Sequence, residues 1–248
     1  MKSAGPLLPI DDSGWTTYFD TYAPRYEASA FGGAGLAYVG NQEVAAILEA
    51  LATRDSGHVL DAGAGAGRLS GALVRAGWNV TALDASAEMR ALLAQNVPDA
   101  HVVTGALGTA LALDDCSFDA VVSLRVLKYV HDLPLALSEF ARVLRPGGIA
   151  MLEVANRRSL ARFGYSGAPI HFVTIAEFER IMRSAGLEPI ARHAGTRLPQ
   201  PVWSLARTRT SCRAAVAVDR ALGSVVGGDR TAAAARSVMI CGLRRDAG

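Results

Sequence analysis

Short apolar runs alternate with stretches whose apolar residues recur three and four positions apart, and this alternation organises most of the chain. Runs of strand length fall at 57–62 (GHVLDA), 79–84 (NVTALD), 101–104 (HVVT), 118–124 (FDAVVSL) and 148–154 (GIAMLEV). Between them, 67–76, 86–95 and 132–144 have helical spacing, and Ser86 and Asp132 stand where N-caps belong. Strands that alternate with helices predict an α/β fold with a parallel sheet and helices on both faces. Arg145-Pro146-Gly147-Gly148 is expected to stop one helix and turn the chain into the next strand. A further helix is predicted over 174–185, with Thr174 as N-cap and Glu177 closing a capping box, and a strand over 187–193. The segment 204–226 has helical spacing and reads as one helix inserted before a last strand at 237–245.

Composition narrows the setting. With 248 residues, half of them hydrophobic, the chain can bury a large core as one domain. Its expected parts are an N-terminal helical cap (1–54), a core (55–194), an insertion (195–236) and the last strand (237–248). No apolar run is long enough to span a membrane, and MKSAGPLLPI lacks the long apolar core of a signal peptide, so a cytoplasmic protein is expected. Cys116, Cys212 and Cys241 are far apart and form no CxxC pair, which predicts reduced packing residues and no metal site.

The net charge of +2 conceals an asymmetry. From residue 191 onward, ten arginines face Asp219, Asp229 and Asp246, about +7, which leaves about −5 for the rest. The basic segment admits three uses: a solvated or dimer-packing face, a lid over a pocket, or a surface for an anionic partner. Since no aromatic residues interleave the arginines after Trp203, neither a membrane nor a nucleic acid is the expected partner, and a homodimer stays open.

The candidate chemistry starts at VLDAGAGAGRLS (59–70). A strand ending at Asp61, then Gly63, Gly65 and Gly67, then a helix, puts exposed amides under a helix N-terminus, where a polar or anionic ligand is favoured. Seventeen residues after Gly67, at the end of the next strand, Asp84 is placed to accept hydrogen bonds from both hydroxyls of a ribose. The dinucleotide fingerprint G-x-G-x-x-G would need glycine at 68, where Arg68 stands; the spacing is G-x-G-x-G instead.

DAGAGAG at 61–67 resembles the first motif of class I S-adenosylmethionine-dependent methyltransferases. LDAS (83–86) is similar to that family's ribose-binding segment. SFDAVVSLRVLKYVHD (117–132) and FARVLRPGGIAMLEV (140–154) resemble its fourth-strand motif and the helix-turn-strand that follows. HFVTIAEFERIMRSAGLEP (171–189) is similar to the segment leading to its sixth strand, and YFDTYAPRYE (18–27) to the N-terminal helix of its small-molecule and ubiquinone-type branch. The resemblance runs collinearly over about residues 15–193.

It implies a Rossmann-like, seven-stranded, mostly parallel sheet with an antiparallel last strand, and S-adenosylmethionine as cofactor. Carried over by position, Gly63, Ala64, Gly65 and Gly67 would approach the methionine moiety, and Asp61 would orient the loop. Asp84 would meet the ribose, Ala85 and Met89 would lie near adenine, and Tyr18 and Tyr26 would cover the cofactor. The pattern departs at TGALG (104–108), where Ala106 replaces an acid that meets the adenine amino group, although Leu107 can still pack on the ring.

Methyl transfer needs mainly alignment of nucleophile and methyl, so a base is optional. Relatives often carry a histidine pair where Lys128 and Tyr129 stand here. The remaining base candidates are His131 and His171, and Arg125, Glu153 and Asn156 are candidate acceptor-binding residues. The expected activity is methyl transfer to an oxygen or nitrogen of a small-molecule acceptor. Two alternatives stay open: a methyltransferase of tRNA or another macromolecule, and a non-catalytic cofactor-binding regulator.

Overall fold

The computed structural model describes residues 12–26, 32–52, 54, 56–159, 170–226 and 235–245. The elements are α1 (Asp12–Tyr22), α2 (Ala34–Leu51), β1 (His58–Ala62), α3 (Arg68–Arg75), β2 (Asn79–Asp84), α4 (Ala87–Asn96), β3 (His101–Thr104) and β4 (Phe118–Ser123). They continue with α5 (Leu133–Val143), β5 (Leu144–Ala155), α6 (Ile175–Ser184), β6 (Leu187–Ala194), α7 (Gln200–Leu205), α8 (Arg209–Val226) and β7 (Ser237–Arg244).

Seven strands form one sheet in the order β3-β2-β1-β4-β5-β7-β6. The pairs β1–β2, β1–β4, β2–β3 and β4–β5 are parallel, whereas β7 runs antiparallel to both β5 and β6. Reversal has a consequence for the site. Ser237 at the start of β7 lies opposite Ala155 at the end of β5, so the start of β7 joins the carboxyl edge of the parallel strands.

Alternation along the strands divides the interior into two cores. Leu60, Leu83 and Val121 face α5 and α6, where they meet Leu137, Phe140, Phe178 and Met182. Val59, Val80, Ala120 and Val122 face the opposite side, against Ile47 and Leu51 of α2 and Leu69 and Leu73 of α3. A sheet buried on both faces needs apolar residues at both parities, which is why these strands read as continuous apolar runs.

The local signals place the helix starts. Ser86 Oγ accepts the Met89 amide, Asp132 accepts the Leu135 amide, and Thr174 with Glu177 forms the reciprocal capping box. One expectation is refined and one corrected. The turn at 145–148 lies inside β5 and not before it: Leu144 pairs with Phe118 and Ile149 with Ala120, so Arg145-Pro146-Gly147-Gly148, with φ +70° at Gly147, form a tight bulge at the start of β5. Proline and glycine are tolerated there because the bulge interrupts the ladder. The single helix read over 204–226 is two, α7 and α8, because Thr208 Oγ1 accepts the Ser211 amide at 3.2 Å and starts a new helix. Both helices hold to α2 through Trp203, which is 1% exposed, stacks on Tyr38 at 5.6 Å, and lies among Leu36, Val39, Cys212 and Ala215.

Candidate active site

The loop after β1 carries three glycines in the left-handed region, with φ of +83° at Gly63, +54° at Gly65 and +90° at Gly67. Their surroundings differ. A Cβ at Gly67 would come within 2.9 Å of the Val97 side chain and 3.2 Å of Leu93, so this glycine lets α3 sit close to the end of α4. A Cβ at Gly65 would find only the Tyr26 ring, at 3.8 Å, and would otherwise point into open space.

Asp84, at the tip of β2, closes on this loop. One carboxylate oxygen accepts the Gly65 amide at 2.8 Å and the other accepts the Ser86 amide at 2.9 Å. Burial raises its pKa, and the Ser86 and Gly65 amides work against that rise. Each oxygen keeps a further lone pair for a ligand. Asp61 lies beneath, fully buried and accepting the Ser70 hydroxyl at 2.6 Å. Burial pushes its carboxyl up to about 7, against the pull of Ser70 and with a smaller contribution from the Asp84 charge.

Above the carboxyl edge is a cavity of about 300 Å³. Asp84, Gly63 and Gly65 lie on one side of it with Ala85, Met89, Ala106 and Leu107. Tyr18 and Tyr26 line it together with Trp15, Phe19 and Tyr22. The spacing of Trp15, Tyr18, Phe19 and Tyr22 puts these rings on one face of α1. Trp15 packs on Tyr129 with centroids 4.4 Å apart, and Phe19 meets the same ring at 5.3 Å. Asp20 ties α1 down, accepting the Ser86 hydroxyl at 2.6 Å. Burial pushes the phenols of Tyr26 and Tyr129 up to about 12, so both are protonated donors at neutral pH.

The opposite side is cationic: Arg125, Lys128 and Arg236 line it. Arg125 has φ +64°, an uncommon conformation for a residue with a side chain. Its amide donates to Glu153 at 2.9 Å, and its Nε to Glu43 at 2.7 Å. Burial alone would lower the guanidinium pKa, but the Glu43 carboxylate more than offsets it and the pKa is raised. Arg236, 7% exposed, donates to Gln200 at 3.3 Å and lies 3.8 Å from Glu43.

Other residues singled out from sequence lie outside the cavity lining. Asp61, Ala64 and Gly67 sit in or under the loop, Glu153 and Asn156 behind the wall. Asn156, 1% exposed, donates its side-chain amide to the Ala235 carbonyl at 3.0 Å, and its backbone amide to the Arg236 carbonyl at 3.1 Å. His131 and His171 pair edge to face at 5.9 Å, and the His171 amide donates to the Lys128 carbonyl at 2.7 Å. Neither ring is among the described lining residues. The insertion reaches the cavity at Gln200 and at its last residue, Arg236.

Sequence reasoning missed Trp15, Phe19, Tyr22, Gln200 and Arg236 as lining residues. The aromatic ones carried a legible signal, their helical spacing. Arg236 carried none, since the reversal of β7 brings it to the edge.

A methyltransferase-domain family matches residues 60–152. Malonyl-(acyl-carrier protein) O-methyltransferase of Erwinia billingiae is 36% identical over 177 residues, spanning 69% of this chain and 68% of that protein. Ubiquinone biosynthesis O-methyltransferase of Xylella fastidiosa is 27% identical over 196 residues, 75% of this chain and 74% of that one. Magnesium protoporphyrin IX methyltransferase from Synechocystis, solved with S-adenosylhomocysteine bound, aligns with a TM-score of 0.68 at 17% identity, covering 94% of this chain and 100% of that one. The (4+2)-cyclase SpnF aligns with a TM-score of 0.71 at 18% identity, covering 98% and 99%. Such structural likeness shows the fold alone, and a fold hosts more than one reaction. The Erwinia relative goes further, with its identity extending over two thirds of both chains, and the protein belongs to the class I S-adenosylmethionine-dependent methyltransferases.

Proposed function

We propose that this enzyme methylates an oxygen atom of a small-molecule acceptor held between the aromatic face of α1 and the tips of β4 and β7. The observation that supports this reading is the division of one cavity into two unlike halves. Over β1 and β2 it offers Asp84, the bare backbone of Gly65 and the apolar side chains of Met89 and Leu107, with Phe19 and Tyr26 packed beside Met89; beyond β4 and before β7 it offers Tyr129 and the cations Arg125, Lys128 and Arg236. The residues of the first half fit S-adenosylmethionine. A Cβ at Gly65 would intrude on the space, Asp84 keeps acceptor capacity for ribose hydroxyls, and Met89 (2% exposed) and Leu107 (7% exposed) give adenine an apolar bed. Oxygen is favoured over nitrogen because both named relatives are O-methyltransferases. Reduced cysteines and the absence, among the described residues, of a helix long and apolar enough to cross a membrane support a cytoplasmic setting.

S-adenosylmethionine, when bound, supplies an electrophilic methyl group. The chain's own task is to hold and enclose. Asp84 and the loop fix the nucleoside, and α1, held at Asp20, excludes water with its rings. The phenols of Tyr26 and Tyr129 keep their protons at neutral pH and act as hydrogen-bond donors, not as bases. Among the described lining residues no histidine is available as a base, so positioning carries the catalysis.

Isothermal titration with S-adenosylmethionine, S-adenosylhomocysteine and NAD tests the cofactor half, and heat with NAD alone would overturn it. Transfer of radiolabelled methyl to an acceptor from a metabolite extract tests the acceptor half. Label recovered only in RNA or protein would replace the small-molecule reading.

A further inference from the structure

The charges along the carboxyl edge are sorted by strand. Asp84 at the tip of β2 is the one carboxylate among the described lining residues; Arg125 and Lys128 follow β4, and Arg236 precedes β7. From β1 to β7 are three inter-strand steps through β4 and β5, roughly 14 Å at the strand tips. Arg236 thus lies away from the glycine loop, whereas Arg125 and Lys128 follow β4, the neighbour of β1, and continue the cationic wall towards it.

Two carboxylates hold this wall from behind. Glu43, 8% exposed, bonds Arg125 at 2.7 Å and lies 3.8 Å from Arg236, and Glu153, 4% exposed, takes the Arg125 amide at 2.9 Å. Neither is a lining residue. Their effect is to orient the guanidinium groups while leaving cationic groups as the charged groups at the surface the acceptor meets. Lys128 is 9% exposed and its ammonium lies 5.1 Å from the centroid of the Tyr129 ring. An ammonium or guanidinium at such a half-dry surface forms stronger, charge-assisted hydrogen bonds to an anion than to a neutral group. Trp15 and Tyr129 beside them give a flat apolar body a place to stack.

We propose that the β4–β7 half of the cavity is a carboxylate subsite, in which Arg236 and Lys128 bind an acid group on a flat acceptor whose methylated atom lies at its other end, towards the glycine loop. The inference rests on the reading of this cavity as the methyltransferase site. It makes the carboxylate a handle that sets the orientation of the acceptor, separate from the reacting oxygen. It also gives Gln200 a role, since its bond to Arg236 makes the insertion part of the acceptor wall.

The test is a titration of the protein, preloaded with S-adenosylhomocysteine, with aryl acids of increasing length and their primary amides: 4-hydroxybenzoate, 4-hydroxyphenylpropionate and 4-hydroxycinnamate against the matching amides. Quenching of tryptophan fluorescence reports binding, because Trp15 lines the cavity. At least one acid is expected to bind about tenfold tighter than its amide, the margin of one charge-assisted hydrogen bond. Arg236→Gln is expected to abolish that preference, Arg236→Lys to restore part of it, and Lys128→Gln to reduce it about threefold on its own. Equal binding of every acid and its amide, or no binding of either, overturns the subsite, as does a preference that survives in both Arg236→Gln and Lys128→Gln. If Arg236→Gln does not fold, Lys128→Gln decides. Failure of S-adenosylhomocysteine to bind would instead strike the methyltransferase reading, and the same acid and amide titrations without it would still rank the subsite.

Discussion

Arg125 donates through Nε to Oε2 of Glu43 at 2.7 Å, a bond between residues 82 positions apart that joins the tip of β4 to α2. The side chains of both partners are largely buried, at 16% and 9% exposed. A buried pair adds little over an apolar substitute, but removing one member leaves a charge without compensation. Glu43→Gln is therefore expected to destabilise the fold by about 3 kcal/mol, with the loss concentrated at the cavity wall. Urea denaturation measures it; a midpoint equal to that of the parent would show that Arg125 is held by other partners.

Asp84 is expected to govern affinity for the cofactor more than folding. Replacing it with alanine removes a charged acceptor facing the nucleoside, and binding of S-adenosylhomocysteine should weaken more than tenfold, about 1.4 kcal/mol or greater, while the far-ultraviolet circular dichroism is retained. Titration calorimetry checks both variant and parent. Unchanged affinity would take Asp84 out of the binding site.

Two glycines of the same loop should fail in opposite ways. At Gly67 the φ of +90° and the 2.9 Å approach to Val97 make alanine costly to the fold, on the order of 2 kcal/mol, with the thermal midpoint reporting it. Gly65→Ala adds a methyl with no neighbour nearer than 3.8 Å, at a φ of +54° that lies in the left-handed region. It should cost about 1 kcal/mol in stability and reduce cofactor binding far more. Equal stability losses in the two variants would contradict this division.

Asp61 should make stability fall as pH rises through neutrality. Its folded pKa of about 7 stands above the ordinary 3.8, so the native state holds the proton more tightly than the unfolded chain does. The contribution is complete below about pH 4 and is lost as pH climbs through 7, because above that the buried carboxylate must ionise in both states. Denaturation midpoints at three pH values between 4.5 and 8, taken for the parent and for Asp61→Asn, isolate this group. The parent should lose a few kcal/mol more than the variant across the window. Parallel curves would mean that Asp61 ionises as freely in the fold as outside it.

Particular residues show how far the sequence carries. Thr174 and Glu177 form the capping box their spacing predicts, and the strands at 79–84 and 101–104 coincide with β2 and β3. Ala85, Met89, Ala106 and Leu107, which the resemblance implies for the cofactor, are among the residues lining the cavity. Of the two histidine candidates, His171 in the loop after the fifth strand is better placed by sequence than His131 at a helix start, but sequence does not say which way either ring turns; here the two rings face each other. Arg145-Pro146-Gly147-Gly148 read as a turn because proline and glycine break regular ladders; only the strand pairing shows that this turn sits in a bulge inside β5.

The sequence by itself determined the alternation of strands and helices, the caps, and the glycine loop with its acid on the next strand. Each of these is set by neighbours within a turn or a few residues, and the chain states such neighbours directly. The tertiary structure alone decided that Glu43 meets Arg125, that Trp15 covers Tyr129, and that Arg236 reaches the carboxyl edge. These depend on a reversed strand and on helices folded back over the sheet, and local periodicity does not encode which distant surfaces then become neighbours.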